Sequence, residues 1–348
     1  MRDEPVTPRQ HRRPTGSFGV RREGDTARLR DSGGVRGLRL ATRHLPAHPG
    51  VVRGLLLAAL VLFAPAAHAA ACCLSVSVVG AGRLTAWEAG AGGLSSSFSR
   101  ATGRWNASGT WRSFDGALLE DELRFEAWGS VRLDDAWQLS ARVPWVVGFR
   151  SAGDVSAVGT GPGDVSAAVR WEAIPLGAWL HVPGVAFTLG VAGPTGRRPE
   201  QATDALGASV TGRGVFATSL GVTIEETWNP WFARVDGGVL VSAPFRRVDT
   251  GATQWLGPAL QVALSGGREL LNEKLVLALS LRAEHELPYS LDGVAIAQTQ
   301  ASTLGATASA AWKLTSHWTV TAAFTADTFG LNREARLAGT LGVRHGFF

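Results

Sequence analysis

Polar and apolar residues alternate through much of this chain, in segments of about 11–15 residues. Residues 137–150 illustrate the pattern, because one parity is wholly apolar and the other carries Gln138, Ser140, Arg142 and Arg150. Successive side chains of a strand point to opposite faces, so each segment has one apolar face and one polar face. Soluble strands average about 5–6 residues, whereas a tilted membrane-spanning strand needs about 9–11. The pattern therefore predicts strands that cross a membrane.

Turn residues divide the alternation into twelve predicted strands, over residues 84–98, 120–133, 137–150, 163–174, 184–192, 213–227, 231–245, 256–270, 274–287, 302–314, 317–327 and 334–348. Short and long connections alternate, as periplasmic turns and extracellular loops do in outer-membrane barrels. A soluble sandwich would have shorter strands, and a solenoid would repeat with a fixed period. We therefore predict an all-β fold: a transmembrane antiparallel up-and-down β-barrel of about 12 strands, with ten or fourteen left open, in the outer membrane of a Gram-negative bacterium.

A signal peptide is predicted over residues 51–69. An apolar run at residues 54–64 follows Arg53 and precedes the small-residue site Ala67-His68-Ala69, which predicts cleavage after Ala69. Residues 70–83 are then a periplasmic N-terminal segment, and residues 84–348 are the barrel. Residues 1–50 are Arg-rich and have no hydrophobic periodicity, which is typical of disorder. Because a signal peptide stands at a chain's start, we expect translation to begin near residue 51 and the extension 1–50 to be absent.

The charge of the chain is concentrated in this extension. The whole sequence has 34 Lys+Arg against 29 Asp+Glu, but residues 1–50 hold eleven Arg and five acidic residues. From residue 51 onward 23 basic residues face 24 acidic ones, so the predicted barrel is nearly neutral. The basic isoelectric point therefore does not indicate a nucleic-acid partner.

The only two cysteines, Cys72 and Cys73, are adjacent and follow the predicted cleavage site. A lipoprotein acceptor and a strained vicinal disulfide are two interpretations. A local feature of the N-terminal segment is the interpretation that we favour. The spacing matches no two-cysteine metal site, and we predict neither a metal nor a cofactor.

Two loop motifs resemble those of the outer-membrane transporter family named for the meta-pathway of phenol degradation: residues 159–165, Gly-Thr-Gly-Pro-Gly-Asp-Val, and residues 193–196, Gly-Pro-Thr-Gly. The resemblance covers about residues 84–348 and implies passage of small molecules, hydrophobic or aromatic ones included. The C-terminal strand resembles the signal of the barrel-assembly machinery, with Phe347 and Phe348 at its end, although Phe348 is out of phase with the apolar parity. Predicted partners are thus this machinery, outer-membrane lipid, lipopolysaccharide and a small-molecule solute.

Charges collect on the parity predicted to face the lumen, at Arg124, Glu126, Arg132, Arg142, Arg170, Glu172, Arg234, Asp236, Arg282, Glu284, Arg336 and Arg344. They either neutralise one another and fill the lumen or line a channel that selects solutes. We predict a channel or transporter rather than an enzyme. One alternative is a structural or adhesive barrel. A less favoured one is a lipid hydrolase, which would need a Ser–His pair near the lipid; His285 lies on the lipid-facing parity but Ser280 does not.

Overall fold

The computed structural model describes residues 82–348 apart from residues 115, 117 and 180. The predicted signal peptide with Ala67 and Ala69, the extension 1–50 and the Cys72–Cys73 pair lie outside the described residues. No helix in the described part of the chain is long and apolar enough to cross a membrane. A short 3-10 helix spans Pro199–Gln201, and the strands are β1 Gly90–Trp105, β2 Trp111–Ser113, β3 Leu118–Arg132, β4 Trp137–Ala152, β5 Val155–Pro162, β6 Ser166–Ile174, β7 Gly184–Ala192, β8 Ala217–Trp228, β9 Trp231–Ser242, β10 Phe245–Arg246, β11 Thr253–Trp255, β12 Ala259–Leu270, β13 Leu275–Glu286, β14 Ser290–Leu291, β15 Val294–Ala295, β16 Ala301–Lys313, β17 Trp318–Leu331 and β18 Glu334–Phe347.

Twelve of these strands form one antiparallel barrel, in the order β1, β3, β4, β6, β7, β8, β9, β12, β13, β16, β17 and β18. The barrel closes because β18 pairs with β1, from Gly90 opposite Phe347 to Arg104 opposite Glu334. Closure leaves no unpaired edge among these strands, as a wall in lipid requires. The predicted fold class and the count of twelve are confirmed.

The two ends of the barrel differ in their connections. Short connections such as residues 133–136 and 271–274 lie at one end with both ends of the described chain, and we call it the turn end. The loop end carries the longer connections, and two of these loops pair with each other through β11 and β14 in a small four-stranded sheet. Outer-membrane barrels keep short turns in the periplasm and long loops outside.

The outer face of the wall is apolar and exposed. Large hydrophobic side chains follow its alternate positions, including Leu94, Phe125, Leu139, Leu189, Leu220, Leu264, Leu279, Phe324 and Leu341. So continuous an apolar surface would be unstable in water and matches the hydrocarbon core of a bilayer. At the turn end the rings of Trp137 and Trp171 stack 6.0 Å apart, where interfacial girdles form. The protein is therefore a Gram-negative outer-membrane barrel.

The first barrel strand differs most from its predicted bounds. It was expected at residues 84–98 and instead runs from Gly90 to Trp105, because the preceding residues turn into the lumen. Its Gly- and Ser-rich sequence gives a weak alternation, yet backbone pairing with β3 and β18 continues regardless of side chains. The predicted loop after β4 also contains a strand, since β5 pairs with β4 over Val155–Pro162.

Candidate functional site

Charged side chains line the inner face of the wall at two levels. All twelve candidate lumen residues belong to the parity that faces inward. Four of them lie toward the loop end: Arg124, Arg282, Glu284 and Arg336. Six lie toward the turn end: Arg132, Arg170, Glu172, Arg234, Asp236 and Arg344. Glu126 and Arg142 lie between the levels, with a carboxylate oxygen and a guanidinium nitrogen 4.0 Å apart.

The turn-side charges on β6, β8 and β9 form a buried network. Arg234 Nη2 lies 2.6 Å from Asp236 Oδ1, and its Nη1 lies 3.9 Å from Glu225 Oε2. The Thr223 hydroxyl donates a hydrogen bond of 2.8 Å to the same Asp236 oxygen. Buried charges are tolerated when they are paired and hydrogen-bonded. These side chains therefore bind one another and fill this part of the lumen.

Residues 82–89, which we call the inner segment, lie inside the barrel at the turn end. The Leu84 N–H donates to the Gln138 side-chain oxygen at 3.1 Å, and the Gln138 amide donates back to the Gly82 carbonyl at 3.0 Å. Arg83 Nε lies 2.9 Å from Glu172 Oε1. Leu84 is only 1% exposed. The segment is thus bound to the inner face of β4 and β6.

Two further predicted lumen residues hold the other half of the inner segment. Arg132 donates to the carbonyl oxygens of Thr85, at 2.6 Å, and Glu88, at 3.0 Å. Arg344 donates to the Glu88 carboxylate. Burial raises the pKa of Glu88, but the hydrogen bonds from Arg344 and the Thr85 N–H more than offset this, so the pKa lies below its ordinary 4.5. Glu88 is therefore charged at neutral pH and locked to the wall.

At the loop end, Asp164 holds the long loop at residues 193–216, which we call the folded loop. Its carboxylate accepts hydrogen bonds from the backbone N–H groups of Gly196 at 2.8 Å, Arg213 at 2.7 Å and Gly214 at 3.0 Å. The Thr195 hydroxyl donates to the Gly163 carbonyl at 2.7 Å. The two motifs that carry the family resemblance are therefore joined in space, and Asp164 fixes both ends of the loop.

The folded loop packs against the inner side of the β4–β5 hairpin. An added Cβ at Gly148 would lie 2.4 Å from the Ala208 carbonyl oxygen, and one at Gly159 would lie 2.3 Å from the Ser209 Cα. Glycine is required there because backbone approaches backbone. Arg213 then pairs with Glu286 on β13 at 3.2 Å. The loop thus contacts two well-separated parts of the wall and narrows the loop end.

A cavity of about 590 Å³ lies in the lumen at the loop end, and we call it the vestibule. Its lining comes from β1, β3, β13 and β16–β18. Nine charged residues contribute to it: Arg104, Glu122, Arg124, Arg282, Glu284, Asp327, Arg333, Glu334 and Arg336. Arg336 Nη2 lies 2.6 Å from Glu120 and 2.7 Å from Glu334, whereas Arg282 is 3.5 Å from Asp327. The arrangement can bind a small polar solute, and among the described residues no group of three or more metal-ligand side chains occurs.

A serine–histidine pair lies on the outer face near the loop end. His285 Nδ1 is 2.8 Å from the Ser302 hydroxyl oxygen, on the neighbouring strand. Among the residues that the structure describes, no carboxylate hydrogen bond to His285 accompanies this pair. Nucleophilic serines are activated by a base that a third group orients, and the pair alone has no such group.

The fold is shared with a solved outer-membrane protein. The outer membrane channel from Pseudomonas putida F1 superposes with a TM-score of 0.65 at 17% sequence identity, covering 79% of this chain and all of that one. The protein has an outer-membrane channel fold. The translocator domain of the autotransporter NalP from Neisseria meningitidis gives a TM-score of 0.46 at 14% identity, over 74% of this chain and 88% of that one. No protein-family model and no curated protein matches the chain.

Several site residues were not singled out by the sequence pattern. Glu122 shares the parity of Arg124 and could have been found from it. Asp327 shares the inward parity of Thr319 and Thr325, just before the bulge at Thr328, and could also have been found from the pattern. Arg333 lies in a loop, where no periodicity applies. Asp164 stood within the family motif, but its role depends on a loop that is 30–50 residues further along the chain.

Proposed function

We propose that the protein is an outer-membrane channel that passes small polar solutes through its lumen. The observation that carries the proposal is the vestibule: a cavity of about 590 Å³ inside a closed barrel, lined by charged side chains. The arginines of its ion pairs stay partly exposed inside the cavity, so a solute that enters the cavity can contact them. The similarity in fold to an outer membrane channel supports the same function.

We further propose that the inner segment closes the turn end of this channel. It is bound to β3, β4, β6 and β18 by hydrogen bonds and ion pairs, and it lies where a solute would leave the lumen. Passage then requires the segment to shift. Because only a few such bonds hold the segment, a ligand or a substitution can shift the equilibrium between its docked and undocked states.

The family resemblance implies that the channel passes hydrophobic or aromatic solutes, and passage of such solutes stays a prediction. The vestibule lining favours polar ones, because an apolar solute would cover guanidinium and carboxylate groups without replacing their hydrogen bonds to water. The remaining partners are also proposals: outer-membrane lipid and lipopolysaccharide around the apolar face, and the barrel-assembly machinery at the C-terminal strand. In that strand Phe347 is the last residue of β18 and Phe348 follows it.

The test is conductance of the purified, folded chain in planar bilayers. We expect discrete conductance steps from the wild type that become more frequent when the inner segment is loosened by Glu88→Gln. Heat-modifiable migration on gels and a β-sheet circular dichroism spectrum confirm that each variant is folded. If folded wild type and variant are both silent, the channel proposal is wrong and a structural or adhesive barrel is favoured.

The hydrogen bond between His285 and Ser302 favours lipid hydrolysis as a second candidate. Hydrolysis of phospholipid vesicles by the purified chain, abolished by Ser302→Ala, would support it. The channel proposal expects no hydrolysis and equal conductance from this variant.

A further inference from the structure

The charges of the vestibule are nearly balanced in number but not in accessibility. Five arginines and four carboxylates line the cavity. In three of the ion pairs the arginine is the more exposed partner: 46% for Arg282 against 9% for Asp327, 41% for Arg124 against 31% for Glu122, and 31% for Arg333 against 15% for Glu284. A solute in the vestibule therefore meets guanidinium groups before carboxylates.

Among the three arginines of these ion pairs, the two most exposed, Arg282 and Arg124, are also the less tightly held. Arg282 lies 3.5 Å from its partner on β17, and Arg124 pairs at 3.1 Å with a residue two positions away on its own strand. Their strands, β3 and β13, are separated by four others around the wall, so both arginines reach one cavity from distant sides. Arg333 and Arg336, in contrast, each bind two carboxylates at 3.0 Å or less.

We propose that the vestibule binds small organic anions, with carboxylate groups held between Arg124 and Arg282. This inference rests on the proposed channel function and names its solute class. The planar guanidinium offers paired N–H donors that fit a carboxylate in a bidentate geometry. Charge in a cavity with low-dielectric walls also raises the local concentration of the opposite ion. The partner carboxylates, Glu122 and Asp327, keep each arginine in place and are less exposed than the arginine that meets the solute.

The first experiment measures ion selectivity in planar bilayers across a KCl gradient. We expect the reversal potential to indicate chloride preference over potassium by a factor of about two or more, and the Arg124→Gln/Arg282→Gln variant to bring this ratio close to one. Arg100→Gln is the matched control. This arginine also lies near the loop end, but it is on the outer face and paired with Asp121 at 2.6 Å, so the ratio should not change.

The second experiment measures binding without conduction. Succinate is titrated into the folded protein in detergent by calorimetry, with uncharged 1,4-butanediol as the comparison solute. We expect succinate affinity to fall about tenfold or more in the double variant, because charge-assisted hydrogen bonds are lost, and Arg100→Gln to keep wild-type affinity. If the channel conducts without anion preference, or if the double variant does not change the chloride-to-potassium ratio, the anion site is overturned and the channel function is still supported. Silence of every folded variant, Glu88→Gln included, overturns the channel itself.

Discussion

Replacing Glu88 by Gln is expected to increase opening at the turn end of the lumen. The Glu88 carboxylate is buried and accepts hydrogen bonds from Arg344 and from the Thr85 N–H, the latter at 2.8 Å. Gln keeps the size and an acceptor oxygen but removes the charge. A hydrogen bond to a charged group contributes about 1.5–3 kcal/mol and a neutral one about 1 kcal/mol. The substitution should therefore weaken docking of the inner segment by about 1–2 kcal/mol.

A loss of about 1–2 kcal/mol lowers the ratio of closed to open states about 5- to 30-fold. Single-channel recording measures this ratio as the open probability, and the conductance of the open state should stay the same because the vestibule is untouched. Adding Leu84→Ala, which removes a side chain that is 1% exposed, should increase opening further.

Trp87→Ala is the matched control within the inner segment. Trp87 is 79% exposed, so its removal should leave the open probability at the wild-type level. The reasoning is refuted if folded Glu88→Gln and Glu88→Gln/Leu84→Ala channels open no more often than the wild type and the Trp87 variant. The inner segment would then not be the barrier to conduction.

Four other outcomes follow from the same contacts. The pKa of Glu88 is lowered in the docked state, so its charge stabilises docking above the ordinary pKa of 4.5, and this stabilisation is lost as the pH falls below 4.5. The open probability of the wild type should therefore rise on acidification below about pH 4.5, and that of Glu88→Gln should change less. Asp164→Ala removes three backbone hydrogen bonds and should make the folded loop sensitive to limited proteolysis, whereas Asp154→Ala, in another loop, should not. Gly159→Val should displace the same loop and enlarge single-channel conductance, while Gly339→Ala, with nothing within 4 Å of the added carbon, should not. Arg234→Gln breaks a buried network and should destabilise the barrel by about 3–5 kcal/mol, seen as a lower urea midpoint for unfolding in detergent.

The wall of the barrel was predictable from the sequence because its physical cause is local. One face of each strand contacts lipid and the other faces the lumen, so apolar and polar side chains must alternate with a period of two along the whole strand. The segments 184–192 and 231–245, for example, begin where β7 and β9 begin. The exception is β1, whose Gly and Ser residues carry little contrast between faces. There, only the pairing with β3 and β18 defines the strand.

The contents of the lumen could be predicted only in part, because they depend on contacts between distant residues. Parity places Arg132, Glu172 and Arg344 on the inner face, but it cannot show that all three hold the inner segment. Asp164 and Gly196 are 32 residues apart, and no periodic pattern relates them. The charges were therefore predictable as lumen residues, whereas the division that we propose, between closing the channel and contacting the solute, was not.

That division follows from how completely the charges are paired. A charge that is buried and fully hydrogen-bonded has no free donor and would lose more energy by leaving its partner than a passing solute could return. The turn-side carboxylates Asp236 and Glu88 meet this condition, and Arg234 is held to Asp236 by two hydrogen bonds. These residues are suited to holding the wall and the inner segment in one arrangement. Arg124 and Arg282 do not meet it, because their side chains stay partly exposed and each ion pair is longer. Hydrogen bonds to a solute can replace existing ones most easily there, which is why we propose selectivity at the loop end and closure at the turn end.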